Sequence, residues 1–224
     1  MSQRRPWVVG VSGASGTPYA RAVLGGLLDA GQSVDLVVSR AARLTLLDET
    51  GVALRDASWA ADLGRWLDRD LGTGVAGGGD GAGADLVYWP ANDLAAGPSS
   101  GSYPTRGMVV VPASTAAVAG IALGLSKDLL QRSADVTLKE RRPLVVVPRE
   151  TPLGRSTLVH LLALHDAGAV VAPASPGFYA GADNVAQLVD FMAAKVLDVL
   201  GVRHDLMRRW SGRIGSARKS TQDY

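Results

Sequence analysis

Short apolar runs rich in β-branched residues recur at residues 7–11, 34–38, 86–89, 108–111, 144–147 and 169–172, with helical patterns between most of them. That alternation constrains the fold more than any other feature. Strands buried on both faces read as continuous apolar runs, and strands joined through helices pair in parallel. The expectation is an α/β chain with a Rossmann-like, doubly wound parallel sheet. It forms one domain over residues 1–224, with a Gly-rich surface loop at 72–84. A basic, polar tail begins at about 202 and docks on a neighbour or frays. Helices are expected at about 19–28, from 40 to about 50, after a Ser114 cap, after a Ser126 cap and at about 156–166. Residues 52–66 are expected to hold a short strand and a helix. Asp183 is expected to cap a last helix, on which Val185, Leu188, Val189, Met192, Val196 and Leu200 form one apolar stripe.

Composition removes several function classes. Aromatic residues are 5% of the chain, too few for a base-stacking nucleic-acid binder. A net charge of +2 gives no electrostatic grip on polyanions. The absence of cysteine excludes disulfides, thiolate metal sites and cysteine nucleophiles. The apolar run after MSQRRP is too short for a signal peptide or a membrane span, so no membrane partner and a cytoplasmic location are expected. His160 and His165 are five apart, not the four that puts two ligands on one helix face, so no metal site is expected there.

Ligands of an open α/β sheet sit beyond the carboxyl ends of its strands. Arg149 and Glu150 follow the run at 144–147 in KERRPLVVVPRE and stand in that place. The first run leads into GVSGASGTP, which offers backbone N–H groups at a helix N-terminus to a phosphate or another anion. An NAD site would want an acidic side chain after the second run, to hold the ribose hydroxyls. Ser39-Arg40 stands there instead, which leaves NADP or a flavin mononucleotide. The SGASG turn resembles that of short-chain dehydrogenases. Those enzymes need a tyrosine followed four residues later by a lysine. Tyr19, Tyr88, Tyr103 and Tyr179 are followed at that spacing by Val23, Asn92, Gly107 and Asp183, so this reading ranks second.

The segments VSGASGTPYA, Glu49, SSGSYP, VVVPAST, QRSADVTLKERRPLVVVPRE and PASPGFY, in that order, resemble the flavin prenyltransferase family of UbiX/Pad-type flavoproteins. The likeness runs from about Val8 to Trp210. LKERRPLVVVPRE and PGFY are its most specific parts. It implies a Rossmann-like flavoprotein that assembles as a dodecamer built of trimers, with sites shared between subunits. It implies metal-independent transfer of a dimethylallyl group from dimethylallyl phosphate to reduced FMN. The product, prenylated FMN, would serve a separate UbiD-type decarboxylase.

By the same resemblance, Gly13, Ala14, Ser15, Ser39, Ser114, Thr115, Ala116, Ala117 and Arg149 bind the flavin. Ser15, Glu49, Lys139 and Glu150 are catalytic. Arg132, Lys139, Tyr179, Lys195 and Trp210 bind the prenyl donor. These residue types suit the chemistry. Fixed cations stabilise a departing phosphate, and a carboxylate moves the proton released when the new ring closes. Taken alone, Arg132 reads as an ion pair with Asp135, Lys195 as a solvated helix face and Glu49 as a polar helix end. The chain departs from the family at Ala116-Ala117 (often Gly-Thr), at Lys127-Asp128 (often Asn-Asn) and at Leu94 (often aromatic). The competing expectations are an FMN-dependent cysteine decarboxylase and a non-catalytic FMN-binding partner subunit. The first would use a histidine in the N-terminal third, whereas the first histidine here is His160.

Overall fold

The computed structural model describes residues 4–71, 85–209 and 212 of the 224. The glycine-rich segment 72–84 and Trp210 lie outside the described residues. The elements run β1 Trp7–Val11, α1 Thr17–Asp29, β2 Val34–Val38, α2 Arg40–Thr50, α3 Trp59–Leu67, β3 Leu86–Pro90, β4 Gly107–Ala113, α4 Thr115–Ala122, α5 Leu129–Lys139, β5 Leu144–Pro148, α6 Arg155–Asp166, β6 Val170–Val171 and α7 Val185–Val199. Short 3-10 turns at Asp56–Ser58 and Gly97–Ser99 precede α3 and β4.

The six strands are parallel in the order β3-β2-β1-β4-β5-β6. The order reverses between β1 and β4, which opens a crevice at their carboxyl ends. Side chains alternate across the sheet. Val9, Val11, Leu36, Val38, Val109 and Val145 meet α1, α3 and α7 on one face. Val8, Val37, Met108, Val110, Leu144 and Val146 meet α4, α5 and α6 on the other. Each of these side chains contributes about 1.5–3 kcal/mol by leaving water. Gly10 lets α5 approach β1, because a Cβ there would lie 3.0 Å from Leu130.

Three local expectations are corrected. Residues 52–66 hold a 3-10 turn and α3, with no strand. The buried Asp62 carboxylate accepts from the Arg55 amide at 3.0 Å and the Ser58 hydroxyl at 2.9 Å, which curls the segment onto α3. Asp128 caps α5, not Ser126, because its carboxylate accepts from Gln131 N at 2.9 Å. Asn184 caps α7, not Asp183, accepting from Gln187 N at 2.9 Å. Residues 202–209, at the start of the expected tail, pack against α7. Val202 is buried in the core, and Asp198 of α7 bonds His204 and Arg209. No helix among the described residues is long and apolar enough to cross a membrane.

Candidate active site

The loops after β1, β2, β4 and β5 converge at the β1/β4 crevice. Ser12 ties two of them together. Its hydroxyl donates to Pro112 O at 2.8 Å and accepts from Ser114 N at 2.7 Å. Ser12 is buried and is absent from the expected site; the serine that opens the turn directly after β1 was its only signal. Ser39 and Ser114 sit at the starts of α2 and α4, and each hydroxyl accepts from an amide of its own helix, Ala42 N at 3.1 Å and Ala117 N at 3.2 Å. These contacts fix both helix N-termini toward the crevice, where their dipoles favour an anion. Thr115 and Ala116 lie at the rim of α4, and Ala117 turns into the core.

Gly13 and Ala14 line the bottom of the first turn. A Cβ on Gly13 would stand 2.4 Å from the Ala41 side chain, so only glycine lets the turn lie against α2. Gly13→Ala is expected to push α2 from the crevice and weaken FMN binding about 10-fold, roughly the 1.4 kcal/mol of a mild overpacking. Flavin fluorescence titration reads this directly. Gly16, at φ 117, adopts a conformation that favours glycine and starts α1 without a side-chain cap of its own.

The cap comes from Glu49, at the far end of α2. Its carboxylate accepts from Gly16 N and Thr17 N, both at 2.9 Å, and from the Thr17 hydroxyl at 2.6 Å. The anion expected at the first turn is thus supplied from within the chain. Partial burial would raise the Glu49 pKa, but the hydroxyls of Thr17 and Ser15 and these two amides hold it below the ordinary range. It is therefore ionised at neutral pH, with its oxygens occupied by these donors. A depressed carboxylate stabilises the fold above its unfolded value of 4.5 and loses that contribution as pH falls through its folded pKa. Glu49→Gln is expected to flatten the loss of melting temperature below pH 4.5.

Arg149 reaches the same turn from β5, donating from Nε to Ser15 O at 2.8 Å. Ser15 is exposed between Arg149 and Glu49. Glu150 follows Arg149 in the chain, is exposed and accepts from Thr151 N at 3.0 Å.

The remaining expected residues lie elsewhere in the chain. Arg132 donates from Nε to Ser99 O at 3.0 Å and pairs with Asp135 at 2.7 Å, so the bland reading of that pair also holds. Lys139 ends α5 and pairs with Glu140. The whole of β5 runs between Lys139 and Glu150. Five residues at about 3.3 Å each make that strand about 16 Å long, so Lys139 stands at the amino end of the sheet and Glu150 at its carboxyl end. Tyr179 is exposed and packs edge-on against Phe191 at 5.3 Å between ring centres. Lys195 is exposed one helical turn beyond Phe191. One chain therefore brings together Gly13 to Ser15, Ser39, Glu49, Ser114, Arg149 and Glu150, but not Lys139 with Glu150.

The crevice suits FMN. It offers two serine-capped helix N-termini for a phosphate, a first turn that glycine lets lie against α2, and no acidic residue after β2 to select a ribose.

A model of the Flavoprotein family matches residues 1–197. The chain is 67% identical over 216 residues to a protein of Streptomyces coelicolor named flavin prenyltransferase UbiX, covering 95% of this chain and 98% of that one. A solved structure described as AnUbiX (PadA1) with FMN and dimethylallyl pyrophosphate aligns with TM-score 0.78 and 34% identity, over 94% of this chain and all of that one. A dodecameric FMN-dependent UbiX-like decarboxylase from Escherichia coli O157:H7 aligns with TM-score 0.78 and 36% identity, over 92% of this chain and all of that one.

Proposed function

The chain belongs to the flavin prenyltransferase family of flavoproteins, and from that premise we propose how its own residues carry the reaction. The enzyme transfers a dimethylallyl group from dimethylallyl phosphate to reduced FMN and releases prenylated FMN. Reduced FMN supplies the electron-rich flavin atoms that receive the two new bonds to carbon. The allylic C–O bond breaks, and phosphate leaves with the bonding pair. Lys139, Arg132 and Lys195 set fixed positive charge around that phosphate, and the Tyr179 hydroxyl donates to it. Ser39, Ser114 to Ala117 and Arg149 hold the flavin, with Gly13 and Ala14 beneath it. The two new bonds replace two flavin hydrogens, one on nitrogen and one on carbon. Of the two protons released, one is taken up by the isoprenyl alkene whose double bond the ring closure consumes, and the other by the departing phosphate. Glu49, which caps the turn after Ser15, and Glu150, next to Arg149, carry these protons.

The observation that carries this reading is the meeting of Glu49 and Arg149 on the Ser15–Gly16 turn. A carboxylate and a guanidinium from two distant elements flank one exposed serine at the switch point. The cationic group around Lys139 sits at the other end of the sheet. A complete site therefore combines the flavin end of one copy with Lys139 of another. Exposed Leu44 and Leu47 on α2, and Leu158, Val159 and Leu162 on α6, supply apolar faces for such assembly. We place the chain in a dodecamer, with a UbiD-type decarboxylase as the recipient of the product. The cysteine decarboxylase reading has no support from His160, whose side chain lies on α6 and not in the crevice loops.

Anaerobic incubation with reduced FMN and dimethylallyl phosphate, followed by mass spectrometry of the released flavin, tests the proposal. The expected result is gain of one isoprenyl unit. Bound but unchanged flavin with both the monophosphate and the diphosphate would leave the chain as an FMN-binding partner subunit.

A further inference from the structure

The loop between β3 and β4 crosses the outer side of α5 and descends to the amino edge of the sheet. There it meets an arginine for which the proposed reaction has no use. Arg142 donates from Nη2 to Gly101 O at 2.7 Å, and from Nη1 to Tyr103 O at 2.9 Å and the Thr105 hydroxyl at 3.0 Å. Arg141, at φ 54, makes the left-handed turn out of α5 that precedes it, and Arg142 N closes the helix end on Thr137 O at 2.9 Å. One planar guanidinium thus holds three loop acceptors in a fixed fork.

What the loop then touches is Lys139. A Cβ placed on Gly101 would stand 2.7 Å from the Lys139 ammonium and 2.1 Å from the Glu140 carboxylate. The loop backbone therefore forms one wall of the Lys139–Glu140 pair, and the absence of a side chain at 101 sets how near that wall stands. The Lys139 side chain is 46% exposed on its remaining side. A lysine loses much rotamer freedom when it is fixed, and a wall already in place removes part of that cost before substrate arrives.

We infer that Arg142 is a positioning residue for the phosphate-binding lysine: it clamps the Gly101–Thr105 loop, and the loop restricts Lys139 to the orientation that meets the donor phosphate. The inference rests on the reading of Lys139 as a phosphate ligand. The Arg142 guanidinium is engaged by the loop acceptors, and β5 separates it from the flavin end of its own chain.

The test uses the FMN-loaded oligomer and calorimetric titration with dimethylallyl phosphate, alongside steady-state kinetics. Arg142→Gln and Gly101→Ala should each weaken dimethylallyl phosphate about 5–10-fold, raise its KM to match and lower kcat by about the same factor, with FMN affinity unchanged. Arg142→Lys should fall between Arg142→Gln and the unaltered protein. Gly101→Ala reaches the same lysine from the opposite side of the contact, so it reports even where Arg142→Gln folds poorly. Unaltered dimethylallyl phosphate affinity in Arg142→Gln, or an equal loss of FMN affinity and melting temperature, overturns the inference. If Lys139→Ala leaves dimethylallyl phosphate affinity intact, the lysine reading fails first and takes this inference with it. Failure of the unaltered protein to bind the donor would refute the proposed substrate as well.

Discussion

Lys139→Ala and Glu150→Gln, each nearly inactive when expressed alone, are expected to regain activity when coexpressed. The two residues stand at opposite ends of β5 in one chain. A site that needs both must draw them from different copies. Loss of the cation that receives the departing phosphate should lower turnover about 10²–10³-fold. Loss of the carboxylate that accepts the proton should lower it about 10²–10⁴-fold. In a mixed oligomer, roughly a quarter of sites would combine an intact Lys139 with an intact Glu150 by random assortment. Activity should therefore rise far above either parent, toward a quarter of the unaltered enzyme. FMN binding, read by absorbance, should persist in both variants and in the mixture. A mixture no more active than its parents would place both residues in one chain's site, or outside the site altogether.

The second large effect is on stability, and it comes from the amino terminus. Arg4 → Ala is expected to cost about 3 kcal/mol at pH 7, because it leaves a buried carboxylate without its cation. Asp35 is fully buried in β2, where Arg4 donates to Oδ1 at 2.7 Å while Oδ2 has no hydrogen-bond partner. Arg4 also pairs with Asp85 and donates to the Tyr103 hydroxyl at 3.1 Å, so it joins β2, the start of β3 and the loop that carries Gly101. In a chain of this size that cost corresponds to a fall of roughly 6–12 °C in melting temperature at a fixed protein concentration.

The pH dependence follows from Asp35. Burial raises its pKa, and Arg4 lowers it again only in part. Without Arg4 the carboxyl group rises further and takes up a proton in the folded state more readily than in the unfolded one. A carboxyl group of that kind stabilises the fold increasingly as pH falls from its raised folded value toward the ordinary 3.8. The deficit of Arg4→Ala should therefore shrink as pH falls from 7 toward 3.8, and adding Asp35→Asn should remove most of it at pH 7. A deficit that stays the same across that range would assign the loss to packing and not to the buried charge.

The elements themselves were largely legible in the chain. Apolar runs with β-branched residues marked all six strands, and the Ser114 cap stood where it was expected. The misplaced caps at 126 and 183 have one cause. Ser126-Lys127-Asp128 and Asp183-Asn184 each offer more than one capping side chain. Which one reaches an amide depends on how the incoming loop is held, and sequence spacing does not encode that. Residues 52–66 failed for a related reason: the bond from the Arg55 amide to Asp62 curls the segment, and no periodicity announces such a contact.

The site divides along the same line. Sequence alone determined the alternation of strands and helices, the parallel sheet it requires, and the glycine, serine, arginine and carboxylate positions at the strand ends. All of these follow from neighbours along the chain, through burial period and backbone sterics. Only the tertiary structure decided that Glu49 caps α1 from the far end of another helix, and that Ser12 locks the β1 and β4 loops. It alone set Lys139 against Gly101 and away from Glu150. Those contacts depend on the relative placement of whole elements, which is fixed by packing both faces of the sheet at once and leaves no local mark in the order of residues.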